Sequence, residues 1–138
     1  MTPYPHWRKS PETEPDWFEA LVNLARYLRG PEGCPWDREQ TARSFAAFAR
    51  EECDELIEAF ETDDNAEVEE EFGDTLFCLL ASASAAEAEG RFTVESALRR
   101  AHEKMIRRHA HVFGDNKAAS PEDAVESWNR IKEEERRK

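Results

Sequence analysis

The sequence predicts an all-α fold, and three observations carry that prediction. Apolar residues recur every three or four positions through most of the chain. The periodic stretches are bounded by helix-start and helix-stop residues. No segment alternates apolar and polar residues as a half-buried strand would, and no repeat or low-complexity tract interrupts the pattern.

Residues 1–15, with Pro3, Pro5, Pro11 and Pro15, read as an irregular lead-in, and residues 16–138 as a single helical domain. A chain of this size buries roughly 68–70% of its unfolded surface, so it needs no disulfide or metal to fold. From Asp16 as N-cap, Phe18, Leu21, Val22, Ala25 and Leu28 recur at helical spacing until Gly30 and Pro31 stop the first helix. "GPEGCPWD" is a Gly/Pro loop, after which Asp37 and Gln40 have the spacing of a capping box. A second helix is expected from Ser44 to Glu61, broken at "TDDN", a third from Ala66 to Glu89, closed by Gly90, and a fourth from Thr93 to His109. Gly114 to Ala119 reads as a loop, and Ser120, Pro121 and Asp123 signal the start of a last helix at Pro121.

Composition narrows the function classes. The formal charge of −12 repels a phosphate backbone, which argues against DNA or RNA as a partner. The longest uncharged run, Thr75 to Ala86, is far short of the roughly 20 residues that a membrane span needs. Cys34, Cys53 and Cys78 are odd in number and lack C-x-x-C spacing, as expected of reduced thiols in a cytoplasmic protein. Charge is also segregated. Residues 51–90 hold 15 acidic residues and no Lys or Arg, whereas residues 91–138 hold 12 Lys and Arg against 9 acids, so any cation that steadies the acidic centre comes from outside it.

The acidic residues are not all on solvated faces. At about 100° per residue, Phe45, Phe48, Ala49, Leu56, Ala59 and Phe60 line one stripe of the second helix, with Glu52 in its middle and Glu55 at its edge. Asp54, Glu58 and Glu61 fall on the far side. The third helix is apolar nearly all round from Phe72 to Ala88, the mark of a central helix covered on several sides, and Glu71 and Asp74 share a face with Thr75, Cys78 and Ser82. Two helices thus each direct a carboxylate pair inward. Buried carboxylates without a partner cost several kcal/mol each or take up protons, so the four together call for a cation. No Glu has a His three residues later, no H-E-x-x-H occurs, and no EF-hand loop is present. An oxygen-only ligand set suits Mg²⁺, with Mn²⁺ as a substitute.

The basic third supplies a complementary set. Val94, Ala97, Leu98, Ala101 and Met105 form the apolar stripe of the fourth helix, with Lys104 and Arg108 on its border and Arg99, Arg100 and Arg107 further out. In the last helix Trp128 and Lys132 lie one turn apart on the apolar side. Cations beside an aromatic suit a ligand that offers both phosphates and a flat base. Neither G-x-x-x-x-G-K-[ST] nor G-x-G-x-x-G occurs, which excludes a P-loop or Rossmann site.

Five stretches in order, "GCPWDREQT", "EECDE", "EFGD", "KMIRRHAHVFGD" and "WNRIK", resemble the motifs of MazG nucleoside triphosphate pyrophosphohydrolases over roughly residues 17–135. The resemblance implies an all-α, oligomeric enzyme that converts an NTP and water to NMP and pyrophosphate with Mg²⁺. It implies Glu52, Glu55, Glu71 and Asp74 as metal ligands, Lys104 and Arg108 as phosphate binders, and Trp128, Lys132 and Trp36 in the nucleotide site. Glu51 or Glu55 would orient or deprotonate the attacking water, and Lys104 would take part in catalysis. Ala110 stands where the family's "RRHPHVF" has Pro, which leaves the end of the fourth helix less sharply defined. A narrower hydrolase for one deoxy or modified nucleotide, and a non-catalytic acidic bundle that binds metal or a partner, are the rival expectations. The all-round apolar third helix further predicts a homo-oligomer, most simply a dimer.

Overall fold

The computed structural model describes residues 10–115 and 117–138. Residues 1–9 of the expected lead-in lie outside the described residues. The described chain is all-α, with helices α1 (Glu14–Arg29), α2 (Pro35–Glu39), α3 (Ala42–Ala59), α4 (Asn65–Ala88), α5 (Val94–Arg108), α6 (Ala110–Phe113) and α7 (Pro121–Arg136). They fall into two compact units, one ending at Val94 and the other running from Glu95 to Lys138.

In the first unit, local chemistry sets each boundary. Helix α1 begins two residues before Asp16, because Thr13 is the N-cap: its Oγ1 accepts from the Asp16 N–H at 3.3 Å while the Asp16 carboxylate accepts from the Thr13 N–H at 3.3 Å. Pro15 permits this early start, since its missing N–H falls among the amides that a first turn leaves unpaired. The expected Asp37 and Gln40 capping box does not form; the backbone N–H of Gln40 turns back to Asp37 O and ends the short α2. The box sits instead at Thr41 and Ser44, which exchange hydrogen bonds of 3.0 and 2.9 Å and start α3 at Ala42. Asp64 caps α4 through the N–H groups of Ala66 and Glu67. Gly90, with φ of +74°, ends that turn in the left-handed region that favours glycine.

The "GCPWD" loop folds back on the end of α1. Cys34 N–H donates to Leu28 O at 2.7 Å, and a Cβ on Gly33 would collide with the carbonyl oxygens of Leu28 and Tyr27. Arg29 then ties the end of α2 in place, donating from Nη1 to the carbonyls of Asp37 and Gln40 at 2.8 and 2.9 Å.

Helix α4 packs against α1 and, most extensively, α3. One cluster joins Phe45 to Ala81 and Ala85, with Phe48 and Phe77 beside it, and a second joins Val22, Leu80 and Val94. The small residues Ala81, Ser84, Ala85 and Ala86 are all buried, as a close helix approach demands. Ser82 Oγ donates to Ala42 O at 2.7 Å and the Glu89 carboxylate accepts from the Ala42 N–H at 2.8 Å, so the end of α4 caps the start of α3 and the two run antiparallel. Two expectations need correction here. Phe60 is 66% exposed, because α3 ends at Ala59 and Phe60 is its C-cap. Phe72 and Leu79 on α4 are also exposed, so the helix is covered on the α1 and α3 sides and open on another.

In the second unit α5 ends at Arg108, and α6 follows immediately as a short helix absent from the sequence reading. Ala110 is its first residue and His109 its N-cap, so the chain leaves helical geometry for one residue only before resuming it. Helix α6 packs on α7, whose N-cap is Ser120, as expected, accepting from the Asp123 N–H at 3.1 Å. Most of the expected α5 stripe is exposed: Leu98 and Met105 lie open, and Val94 alone is buried.

Truncating Phe45, which is 3% exposed at the α3–α4 seam, to Ala is expected to cost about 3–5 kcal/mol. Phe60→Ala is expected to cost less than about 1 kcal/mol. Urea denaturation of both variants against the parent checks the assignment, and similar losses for the two would contradict the described seam.

Candidate functional site

Antiparallel packing brings the acidic pairs of α3 and α4 to one place. Glu52 and Glu55 are three residues apart on α3, as are Glu71 and Asp74 on α4, so each pair spans one turn of a single face. One carboxylate oxygen from each of Glu52, Glu55 and Glu71 lies within 4.8 Å of the others. Glu52 and Glu71 are half-buried, while Glu55 and Asp74 stand at the exposed rim. Thr75, on the same face as Glu71, turns its hydroxyl away to the Glu71 carbonyl at 2.8 Å.

The electrostatics are those of an anionic cluster lacking a counter-charge. Burial pushes the Glu52 carboxyl above its usual range, and the charges of Glu55, Asp74 and Glu71 push it further. Burial is likewise the main cause for Glu71, reinforced by Glu55, Asp74 and Glu70. Each of the charged neighbours that raise these two groups is another acid. Glu71 Oε2 is buried and has no hydrogen-bond partner, an arrangement that favours either a proton or a cation. Cys78, one turn beyond Asp74, completes the face; burial, then Glu52 and Asp74, raise its thiol above the usual range. The geometry therefore gathers three of the four expected ligands and places the fourth within their field. Glu51 is exposed on α3 and stands outside the group.

Trp36 on α2 packs edge-on against Phe45 at 5.9 Å and tilted against Phe48 at 5.5 Å, leaving half of its surface exposed. Phe48 precedes Glu52 by one turn, so the indole adjoins the α3 face that carries the cluster.

In the second unit the structure pairs two expected residues. The Arg108 guanidinium lies 5.3 Å from the Trp128 ring centroid, and His109 meets the same ring at 5.3 Å. Arg108 is only 14% exposed, and its Nη2 donates to Glu135 at 2.9 Å. Lys104 on α5 and Lys132 on α7 are both half-buried. Arg107, placed further out by the sequence reading, shares Glu135 with Arg108 through a 2.7 Å contact. Sequence reasoning missed Glu135 altogether. The available signal was an acid in the last turn of a helix, where the macrodipole disfavours it.

The profile of the MazG nucleotide pyrophosphohydrolase domain matches residues 40–113, which include all four cluster carboxylates and Lys104 and Arg108. The chain is 45% identical over 121 residues to the nucleoside triphosphate pyrophosphohydrolase/pyrophosphatase MazG of Thermotoga maritima, covering 88% of this chain and 46% of that protein. It is 38% identical over 120 residues to the nucleoside triphosphate pyrophosphohydrolase of Escherichia coli, covering 86% and 46%. The chain thus spans less than half the length of these two relatives. A crystal structure of a mazG-related protein from Thermotoga maritima superposes with a TM-score of 0.70 at 30% identity, over 83% of this chain and 98% of that one.

Removing one cluster charge is expected to stabilise the metal-free protein. A carboxyl whose folded pKa lies above its unfolded value makes the folded state bind the extra proton, so its contribution weakens as pH rises through the folded pKa. Glu71→Gln should therefore melt higher than the parent at neutral pH in EDTA, and the gain should shrink as pH falls below the raised range of Glu71. Melting curves of both proteins over acid to neutral pH test this, and a lower neutral-pH melting temperature for the variant would refute it.

Proposed function

The chain belongs to the MazG nucleotide pyrophosphohydrolase family, and from that premise we propose that it hydrolyses a nucleoside triphosphate to the monophosphate and pyrophosphate. The observation that carries the reading is the convergence of Glu52, Glu55 and Glu71, the last with a buried, unpartnered carboxylate oxygen. This all-oxygen donor set fits a hard divalent ion, Mg²⁺ with Mn²⁺ as substitute, which these three and Asp74 would hold. Bound there, the ion supplies neutralisation of phosphate charge and a more acidic water.

The chain's own groups supply the rest. Arg108, beside Trp128, offers charge-assisted hydrogen bonds to phosphate oxygens, and Lys104 adds a positive charge that offsets the charge gathering on the departing pyrophosphate. Trp128, Lys132 and Trp36 are the proposed nucleotide contacts, the indoles giving flat apolar surface to a base. Of the two candidates for orienting the water, Glu55 is the better placed, since its oxygen reaches the cluster while its side chain stays exposed. Glu51→Gln should then keep more turnover than Glu55→Gln. We also propose a homodimer formed over the open face of α4, where Phe72 and Leu79 are exposed. Among the described residues no helix is long and apolar enough to cross a membrane, and a cytoplasmic location is the proposal that accompanies a nucleotide substrate.

Product analysis over a panel of ribo-, deoxy- and modified nucleotides tests the reading. Equal amounts of NMP and pyrophosphate are expected, dependent on Mg²⁺ or Mn²⁺; NDP with phosphate, or no product, would overturn it. Glu52→Gln and Asp74→Asn should each lower turnover by more than about a hundredfold. Glu58→Gln, on the exposed side of α3, should change it little.

Light scattering is expected to report twice the 16.0 kDa chain mass at micromolar concentration. A monomer mass would remove the dimer from the proposal without touching the chemistry.

A further inference from the structure

The second unit holds an ion-pair arrangement that the proposed chemistry leaves unexplained. Glu135 gives one oxygen to each of two arginines: Oε1 accepts from Arg107 Nε at 2.7 Å and Oε2 from Arg108 Nη2 at 2.9 Å. Arg108 Nε is buried and has no acceptor. Both oxygens of Glu135 are thus engaged while the Arg108 Nε–H stays buried and unpaired, which is unfavourable by an amount comparable to a lost hydrogen bond. A terminal phosphate presents three oxygens in a tetrahedral array, one more than a carboxylate offers.

Among the described residues, the Glu135 carboxylate is held by these two arginines. It lies in the last turn of α7, at the negative end of the helix dipole, where a carboxylate is disfavoured, whereas Arg107 and Arg108 close α5, where cations are favoured. The two arginines hold its carboxyl far below the usual range, at about 2, so it carries full charge at neutral pH. Arg108, by contrast, has a second contact in the Trp128 ring, 5.3 Å from its guanidinium. Arg107 is 53% exposed and Glu135 26%, so the contact is reachable from solvent.

We propose that Arg107 and Arg108 form one anion seat, filled by Glu135 in the free protein, and that a phosphate group of the nucleotide or of pyrophosphate enters by displacing Glu135. This rests on the reading of Arg108 as a phosphate ligand and extends it, adding Arg107 as a second phosphate contact and Glu135 as an internal competitor. The competitor makes the seat selective. A ligand carboxylate repeats what Glu135 already provides and gains nothing by the exchange, whereas a terminal phosphate pairs the donor that Glu135 leaves unpaired.

The test is calorimetric titration of the full chain with inorganic pyrophosphate in EDTA, which probes the seat without a divalent ion. Glu135→Gln keeps the side chain's size and removes its charge. It should bind pyrophosphate roughly tenfold more tightly than the parent while melting at a lower temperature, and adding Arg107→Ala should cancel the gain. A purely structural Glu135 would lower melting temperature and affinity together, so equal or weaker binding by Glu135→Gln overturns the proposal. A gain that survives Arg107→Ala overturns the two-arginine seat. Should Glu135→Gln fail to fold, Glu135→Asp, one methylene shorter and strained to reach both arginines, supplies the same comparison. The outcome is separable from the functional reading. Absence of nucleotide hydrolysis would sink that reading while the pyrophosphate titration still decides the seat.

Discussion

Mutual repulsion among carboxylates at the α3–α4 seam is the constraint around which the first unit is arranged. Glu52 and Glu71 sit half-buried with only acids acting on them, and Glu71 has an oxygen with no hydrogen-bond partner. Left to itself, such a cluster would separate its two helices. The seam resists because its other contacts are close and apolar: Phe45 against Ala81 and Ala85, with buried small residues along α4 that let the backbones approach. Hydrophobic burial thus holds apart from water a group of charges that water would otherwise separate.

Much of this was legible in the sequence, because inward direction on a helix follows from spacing alone. The position of Glu52 within an apolar stripe, of Glu71 on the face of Thr75, Cys78 and Ser82, and of Glu58 on the far side needed no knowledge of the partner helix. Boundaries were less legible where several residues compete for one role. Thr13 and Asp16 are both good N-caps, and so are Thr41 and Ser44; in each pair the earlier residue wins because the later one can return the favour from the third helical position. The short α6 was hidden for another reason, since four residues carry no period to read.

The acids of the 51–90 block also turned out to be of two kinds, which composition could not separate. Glu87 takes both Nε and Nη2 of Arg26 and the Val94 N–H, and Glu89 takes the Ala42 N–H and Arg91. Their carboxyls are pulled below the usual range by these partners, opposite in sign to Glu52 and Glu71. Charge counting treats all four alike. Long-range partners such as Arg26, sixty-one residues from Glu87, become visible only once the chain has folded.

Ala42 accepts from Ser82 through its carbonyl and donates to Glu89 through its N–H, and the two bonds act mechanically as well. They pin the open end of the α3–α4 pair, and the short connection through residues 60–64 pins the other, leaving the acidic cluster in the stretch between. A pair of rods fastened at both ends cannot splay to suit whatever sits between them. The spacing between the carboxylates of Glu52, Glu55 and Glu71 is therefore set from the two ends of the helix pair, at Ala42 and at the 60–64 connection, and not by the carboxylates themselves.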